Sequence, residues 1–95
     1  MSFIYVISSE TNTNLCKIGL SKSPESRLKQ LQTGHPDKLK IHYLREIDES
    51  KVYEMEKLIH DTLKFYKERN KWFNISVDNA KLELDFHFIR YEDVI

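Results

Sequence analysis

Two short apolar runs near the start of the chain each carry one side chain capable of acid–base chemistry. Tyr5 lies in the run at residues 3–7, and Lys17 lies in the run at residues 16–20. Both runs are rich in β-branched and aromatic residues, and the polar tract at residues 8–14 has the composition of a turn, so the pattern predicts a β-hairpin. Because side chains alternate across a strand, this hairpin can bring a phenol and an ammonium group to one face.

Arg27 lies on a predicted short helix that follows the hairpin. Ser23 is a suitable N-cap, Pro24 suits the first helical position, and Gly34 is a natural stop. Two leucines between Pro24 and Gly34 supply apolar contacts. The sequence therefore predicts a helix that carries a guanidinium group beside its apolar side.

Glu56 and His60 lie on a second predicted helix, from about residue 50 to residue 66. Apolar side chains recur along it at helical spacing, namely Val52, Met55, Ile59, Leu63 and Tyr66. Because Glu56 and His60 are four residues apart, they share a face of the helix next to this apolar stripe.

The remaining segments complete an expected α/β (α+β) fold. Residues 39–44 predict a third strand, and residues 72–75 predict a short strand or extended segment. The tail, residues 77–95, fits a helix or a strand, and we predict a helix. The helical stripe is Val77, Ala80, Leu84 and Phe88, and the strand alternation is Leu82, Leu84, Phe86 and Phe88. We expect one domain over residues 1–95, with a small central antiparallel or mixed three-stranded sheet flanked by helices.

The composition is that of a globular domain with one modest core. The chain has 95 residues, of which 40% are hydrophobic and 32% are charged. No apolar run approaches the roughly 18 residues of a membrane span, so we expect no membrane partner and no export. The lone Cys16 excludes an internal disulfide and fits a reducing compartment, which predicts a cytoplasmic or nuclear protein.

Charges are sorted along the chain, although the net charge is zero. Residues 17–40 carry six Lys or Arg against two acids, whereas residues 46–61 carry six acids against two Lys. Such segregation can produce one basic surface, although charge runs also occur as merely solvated faces. The candidate nucleic-acid contacts are Lys17, Lys22, Arg27, Lys29 and Lys38.

Taken in chain order, these residues resemble the GIY-YIG nuclease superfamily, and most closely its compact phage, viral and fungal branch described as a DNA-binding domain. The resemblance covers about residues 3–76. The matching positions are Phe3-Ile4-Tyr5 for the GIY triplet, Lys17-Ile18-Gly19 for YIG, Arg27 for the arginine of the first helix, Glu56 and His60 for the glutamate and histidine of the second long helix, and Trp72-Phe73 for the closing aromatic pair.

Three positions depart from the family pattern. Phe3 replaces the first glycine, Lys17 replaces the second tyrosine, and Lys71 stands where an acid is expected. The late asparagine of the family corresponds to Asn70 or Asn74.

The resemblance implies metal-dependent hydrolysis of a phosphodiester in nucleic acid. It implies that Glu56 holds Mg²⁺, or Mn²⁺ in its place, and that Arg27 contacts a nonbridging phosphate oxygen. Tyr5 would take the proton from water, with positive charge from Lys17 and the metal lowering its pKa, or Lys17 would act on the water itself. This mechanism requires Tyr5, Arg27 and Glu56 to meet beside one edge of the sheet.

Each of these residues also has a structural interpretation. Tyr5 is otherwise a core aromatic, Lys17 a solvated strand residue, and Arg27 a surface helix residue. Glu56 and His60 would form a helix pair worth roughly 0.2–0.5 kcal/mol. The ordered series favours a functional-site role for Tyr5, Arg27 and Glu56. For Lys17 the site role and the structural role are evenly balanced. His60 is either a catalytic partner or a structural residue, and the same series favours the structural role. The histidines without a specific role are His35, His42 and His87.

Three functions are consistent with the sequence. The leading one is a Mg²⁺-dependent DNA endonuclease, and the second is a non-catalytic DNA-binding module on the same fold. The third is a protein-interaction or inhibitor domain, favoured by the acidic stretches 46–61 and 78–93. DNA is the expected partner, with RNA as an alternative, and a homodimer or a second protein would add sequence specificity. The resemblance points to a phage or virus as one source.

Overall fold

The computed structural model describes the backbone of residues 1–69 and 72–94 and the side chains of residues 1–67 and 72–87. Its strands are β1 (Ser2–Ser9), β2 (Cys16–Ser21), β3 (Leu39–Ile47), β4 (Lys67–Arg69) and β5 (Trp72–Phe73). Its α-helices are α1 (Pro24–Gln32), α2 (Val52–Leu63) and α3 (Val77–Val94). Short 3₁₀ turns, Glu49–Lys51 and Lys64–Tyr66, flank α2 on its two sides.

The strands form one antiparallel sheet in the order β3-β1-β2-β5-β4. Strand β1 lies between β2 and β3, and its pairing with β2 confirms the predicted hairpin. Strand β5 pairs with β2 at Cys16 and Lys17. Because directly opposite residues of an antiparallel pair share a face, this register fixes which side chains lie together.

One face of the sheet, called here the α1 face, is covered by α1. Its buried side chains include Tyr5, Ile7 and Leu39, and Leu28 and Leu31 of α1 pack on them. Helix α1 begins with Pro24 at its first position, as predicted, although the Ser23 side chain makes no capping hydrogen bond. After the helix, Gly34 has φ 81°, a left-handed conformation that glycine adopts at little cost. This turn directs the chain into β3.

The opposite face, called here the α2–α3 face, holds the larger apolar core. From the sheet it includes the buried side chains of Ile4, Val6, Cys16, Ile18 and Phe73. From α2 and α3 it includes Met55, Ile59, Leu63, Val77, Ala80 and Leu84. The helices therefore bury most of the stripe that their sequence period predicts. The exceptions are Tyr66, which is 43% exposed and lies in the 3₁₀ turn after α2, and Phe88, whose side chain lies outside the described part.

The sheet contains the three expected strands and two short additional ones. Residues 67–69 form β4 against β5. The tail is helical, so the strand alternative for residues 77–95 is wrong where the structure describes it. None of the described helices is long and apolar enough to cross a membrane.

Candidate functional site

Tyr5 lies on the α1 face directly opposite Gly19 of β2. It is 2% exposed, and a Cβ atom at residue 19 would lie 2.8 Å from its hydroxyl oxygen. The absence of a side chain at Gly19 therefore leaves the space that the phenol occupies.

Lys17 shares the α1 face with Tyr5, as the hairpin predicted, but it is only 5% exposed. It pairs with Ile7 on one side and with Trp72 of β5 on the other. Its Nζ atom lies 5.8 Å from the centroid of the Trp72 ring, within the range of a cation–π contact. Lys17 is therefore not the solvated strand residue of the structural interpretation, because β5 covers it.

Arg27 lies on α1, the helix that covers this face. Its backbone N–H donates to the Ser23 carbonyl oxygen at 3.0 Å, which belongs to the first turn of the helix. Its Nη1 atom donates to Gln30 Oε1 at 3.2 Å, and the side chain is half-buried. The guanidinium group therefore keeps donors that an external anion can reach.

Glu56 and His60 lie on α2, which packs against the opposite face. Their Oε1 and Nε2 atoms are 3.8 Å apart, and the side chains are 39% and 33% exposed. Helix α2 contacts β2, the strand that carries Lys17 and Gly19. The structure thus brings Tyr5, Lys17 and the helix of Arg27 to one face, whereas it carries Glu56 and His60 on a helix of the other face. The described contacts therefore do not show the meeting of Tyr5, Arg27 and Glu56 that the expected mechanism requires.

The predicted nucleic-acid contacts around α1 are accessible. Lys22, Lys29 and Lys38 are all exposed, and the Lys38 Nζ atom lies 3.9 Å from Glu10 Oε1. Of the two candidate asparagines, Asn70 lies outside the described residues. Asn74 is exposed, and its backbone N–H donates to the Tyr66 carbonyl oxygen at 2.6 Å.

Sequence reasoning missed the position of His35. Its ring stacks on Trp72, with centroids 5.6 Å apart and an interplanar angle of 23°. His35 follows Gly34 in the loop after α1, whereas Trp72 comes from β5, so no local pattern links the two residues. The only available signal was that both residues are aromatic and flank predicted elements of the same sheet.

The described side chains contain no cluster of three or more His, Cys, Asp or Glu that could hold a metal ion. Glu56 is a single accessible carboxylate, a hard oxygen ligand of the kind that Mg²⁺ accepts while keeping several of its waters. The donor set fits an ion shared with a substrate phosphate better than an ion bound by protein alone.

A family model for the T5orf172 domain matches residues 2–86. The chain belongs to the T5orf172 domain family. T5orf172 domains occur in phage and other nuclease-associated proteins, and their link to nucleic-acid function is a loose one. No curated protein and no solved structure matches this T5orf172 chain. The family assignment names no catalytic residue, so any assignment of roles within it depends on the geometry of the α1 face.

Proposed function

We propose that this T5orf172 domain binds nucleic acid through its α1 side and cleaves DNA as a Mg²⁺-dependent endonuclease of the GIY-YIG type. One observation carries the proposal. Tyr5 is held on the α1 face with its hydroxyl against Gly19, beside Lys17 and under the helix that carries Arg27. A purely structural aromatic at this position needs neither the hydroxyl nor the glycine.

The proposed roles follow from the chemistry of each group. The Arg27 guanidinium offers a planar set of donors to a nonbridging phosphate oxygen and stabilises charge that develops there. As the phenolate, the Tyr5 oxygen would accept a proton from the attacking water, directly or through a second water, and become the neutral phenol. Lys17 places a positive charge on the same face, where it would stabilise negative charge that develops on the phosphate.

Glu56 is the proposed magnesium ligand. When bound, the ion supplies Lewis-acid stabilisation of the phosphate. Since the protein offers one half-buried carboxylate, Glu56 would hold the ion only weakly in the absence of substrate. His60, 3.8 Å from Glu56, would orient the carboxylate. Helix α2 contacts β2, the strand of Lys17, although it packs on the opposite face of the sheet.

The binding surface is formed by the exposed cations around α1. Lys22, Lys29 and Lys38 would contact phosphates, and this contribution is independent of sequence and weakens with salt. Lys17 is buried, so it would contact the phosphate backbone of the nucleic acid only where that backbone enters the α1 face. RNA carries the same phosphates and remains a second substrate class.

A non-catalytic nucleic-acid-binding module is the second candidate. It is favoured by the burial of Tyr5 and Lys17, 2% and 5% exposed, and by the position of Glu56 on a helix of the opposite face. In that case the basic surface binds nucleic acid without cleavage, and the Tyr5 side chain only packs in the core.

Plasmid nicking with Mg²⁺ distinguishes the two candidates. We expect nicking by the wild-type protein, its loss in EDTA and a large loss in Glu56→Gln. Glu54→Gln is the matched control, because Glu54 lies on the same helix and is exposed. Both variants should bind a DNA duplex in EDTA as the wild type does.

The outcomes separate cleanly. Equal nicking by Glu56→Gln and Glu54→Gln would refute the role of Glu56. Salt-sensitive binding without cleavage by any divalent metal would establish the non-catalytic module. Absence of DNA and RNA binding at low salt would refute both candidates and leave the protein-interaction function.

A further inference from the structure

A small pocket opens beside Trp72 on the α1 face. Its volume is about 170 Å³, several times the roughly 30 Å³ that a water molecule occupies in the liquid. Its lining includes residues from the hairpin loop, from the loop after α1 and from β5, namely Asn12, Leu15, His35, Asp37 and Trp72. This space is far larger than one water molecule needs, and two of its lining side chains, His35 and Trp72, are aromatic.

Two aromatic rings form part of the lining. His35 and Trp72 are stacked with centroids 5.6 Å apart, and the Lys17 Nζ atom lies 5.8 Å from the Trp72 centroid. A third ring between them would need about 7 Å, twice the ~3.5 Å contact distance of carbon atoms. A planar ligand must therefore pack against the pair and not between its members.

The border of the pocket is polar and charged. Asn12 contributes an exposed side-chain amide, whose Oδ1 atom accepts from the Asn14 backbone N–H at 3.3 Å. Asp37 contributes an exposed carboxylate to the lining. The next residue along the chain, Lys38, is exposed, and its Nζ atom lies 3.9 Å from Glu10 Oε1. Donors and acceptors around an aromatic wall suit a heterocycle with a hydrogen-bonding edge, attached to an anionic backbone.

We propose that this pocket, called here the base pocket, takes one unpaired nucleobase of a strand whose phosphates contact the basic residues around α1. The proposal rests on the nucleic-acid binding in the proposed function and is independent of cleavage. A base inside a duplex is already stacked and paired, and its extraction costs free energy. The protein therefore prefers single strands, or junctions and flaps with an unpaired base, over a continuous duplex.

The chain has one tryptophan, so its fluorescence reports on the base pocket alone. The protein is titrated in EDTA with a short oligothymidylate, with a strand of equal length that lacks the bases, and with a duplex of equal phosphate number. We expect oligothymidylate to quench the Trp72 emission and to bind about five- to 100-fold more tightly than the abasic strand. The duplex should bind with no change in emission.

His35→Ala tests the aromatic wall, and His87→Ala is the matched control on α3. His35 lies in a partly exposed loop, whereas His87 is paired with Glu83 at 3.7 Å and lies away from the pocket. We expect His35→Ala to weaken oligothymidylate binding about fivefold and to leave duplex binding unchanged. His87→Ala should match the wild type with both ligands.

The comparison with the abasic strand uses wild-type protein, so it decides the proposal even if His35→Ala misfolds. Equal affinity for both strands, or binding with unchanged Trp72 emission, overturns the base pocket and leaves the proposed nuclease intact. Quenching without any Mg²⁺-dependent nicking supports the base pocket and refutes catalysis. Absence of binding to every nucleic acid overturns both.

Discussion

The two faces of the sheet differ in what covers them and in what they contain. The α2–α3 face is apolar and lies under helices of 12 and 18 residues. The α1 face holds a phenol and an ammonium group and lies under one helix of nine residues. Burying a charge is costly unless it is paired, so Lys17 requires the local compensation that Trp72 contributes to.

This difference separates stability from chemistry. Large apolar side chains on the α2–α3 face lose water on folding and supply most of the stabilisation. The pairing register of β1 and β2 positions the polar groups on the α1 face, and close contacts such as that between Tyr5 and Gly19 fix them there. Substitutions on one face should therefore change the free energy of unfolding, and substitutions on the other should change binding or cleavage.

The largest expected loss of stability follows truncation on the α2–α3 face. Leu84→Ala should lower the free energy of unfolding by about 2–5 kcal/mol, because Leu84 is 1% exposed and the change leaves a cavity. Urea unfolding measures this value. Leu82→Ala, on the same helix but 68% exposed, should change it by less than about 0.5 kcal/mol. Equal effects would show that α3 packs differently.

The largest expected loss of activity comes from α1. Arg27→Ala should lower the rate of Mg²⁺-dependent nicking by about 10²–10³-fold, as removal of a donor to developing charge does elsewhere. Its melting temperature should stay near the wild-type value, because the side chain is only half-buried. Lys29→Ala, exposed on the same helix, should reduce affinity without a comparable loss of rate. A collapse of thermal stability in Arg27→Ala would make the residue structural.

A smaller effect tests the contact between the two hairpin strands. Gly19→Ala should destabilise the protein by about 1–3 kcal/mol, because the new Cβ would lie 2.8 Å from the Tyr5 hydroxyl oxygen. Tyr5→Phe should recover part of this loss in the double variant, measured by a double-mutant cycle. The recovery should be partial, since the ring carbon Cζ would still lie 3.1 Å away.

Gly34→Ala provides the control for that cycle. Nothing lies within 4 Å of a Cβ atom at residue 34, and any loss there comes from its φ of +81°. Tyr5→Phe should not recover it. Recovery at both glycines would mean that Tyr5→Phe stabilises the protein in general.

The smallest effect is expected at alkaline pH on the α2–α3 face. Burial, and then the hydrogen bond to Asp85, raises the pKa of Tyr43 from 10.0 to about 12. The folded protein therefore holds this proton more tightly than the unfolded chain. The stabilisation is complete below pH 10 and is lost as the pH rises toward 12. Tyr43→Phe should flatten the fall of the melting temperature in this window.

Two features qualify the alkaline experiment. Burial also raises the pKa of the Cys16 thiol from 9.0 to about 11, so part of the fall begins earlier and persists in Tyr43→Phe. Tyr53→Phe is the control, because Tyr53 is 81% exposed. An identical fall in Tyr43→Phe and Tyr53→Phe would contradict the assignment to Tyr43.

The local signals in the sequence predicted most of the fold. The apolar runs at residues 3–7 and 16–20, with the polar tract between them, predicted the hairpin, and the Pro24 and Gly34 signals bounded α1 closely. The predicted helix at 50–66 was longer than α2, because its two ends are 3₁₀ turns. Such ends differ from an α-helix in hydrogen bonding, which an apolar period does not reveal.

The long-range features could not be predicted in the same way. Burial of Lys17 depends on the pairing of β5 beside it, and β5 is a strand of two residues with no pattern of its own. The covering of opposite faces by α1 and α2 is likewise a tertiary property. The sequence identified Glu56 as a candidate beside Tyr5 but carried no information on which face its helix would cover.

The central position of β1 has a consequence for the nascent chain. Strand β1 is synthesised before β3, which pairs along one of its edges, and before Phe73 and Leu84, which complete the core beneath it. A two-stranded hairpin is marginally stable alone in water. Contacts between residues distant in sequence slow folding, because loops must close before burial compensates for them. This domain should therefore stay open to proteases until residues 73–84 have been synthesised.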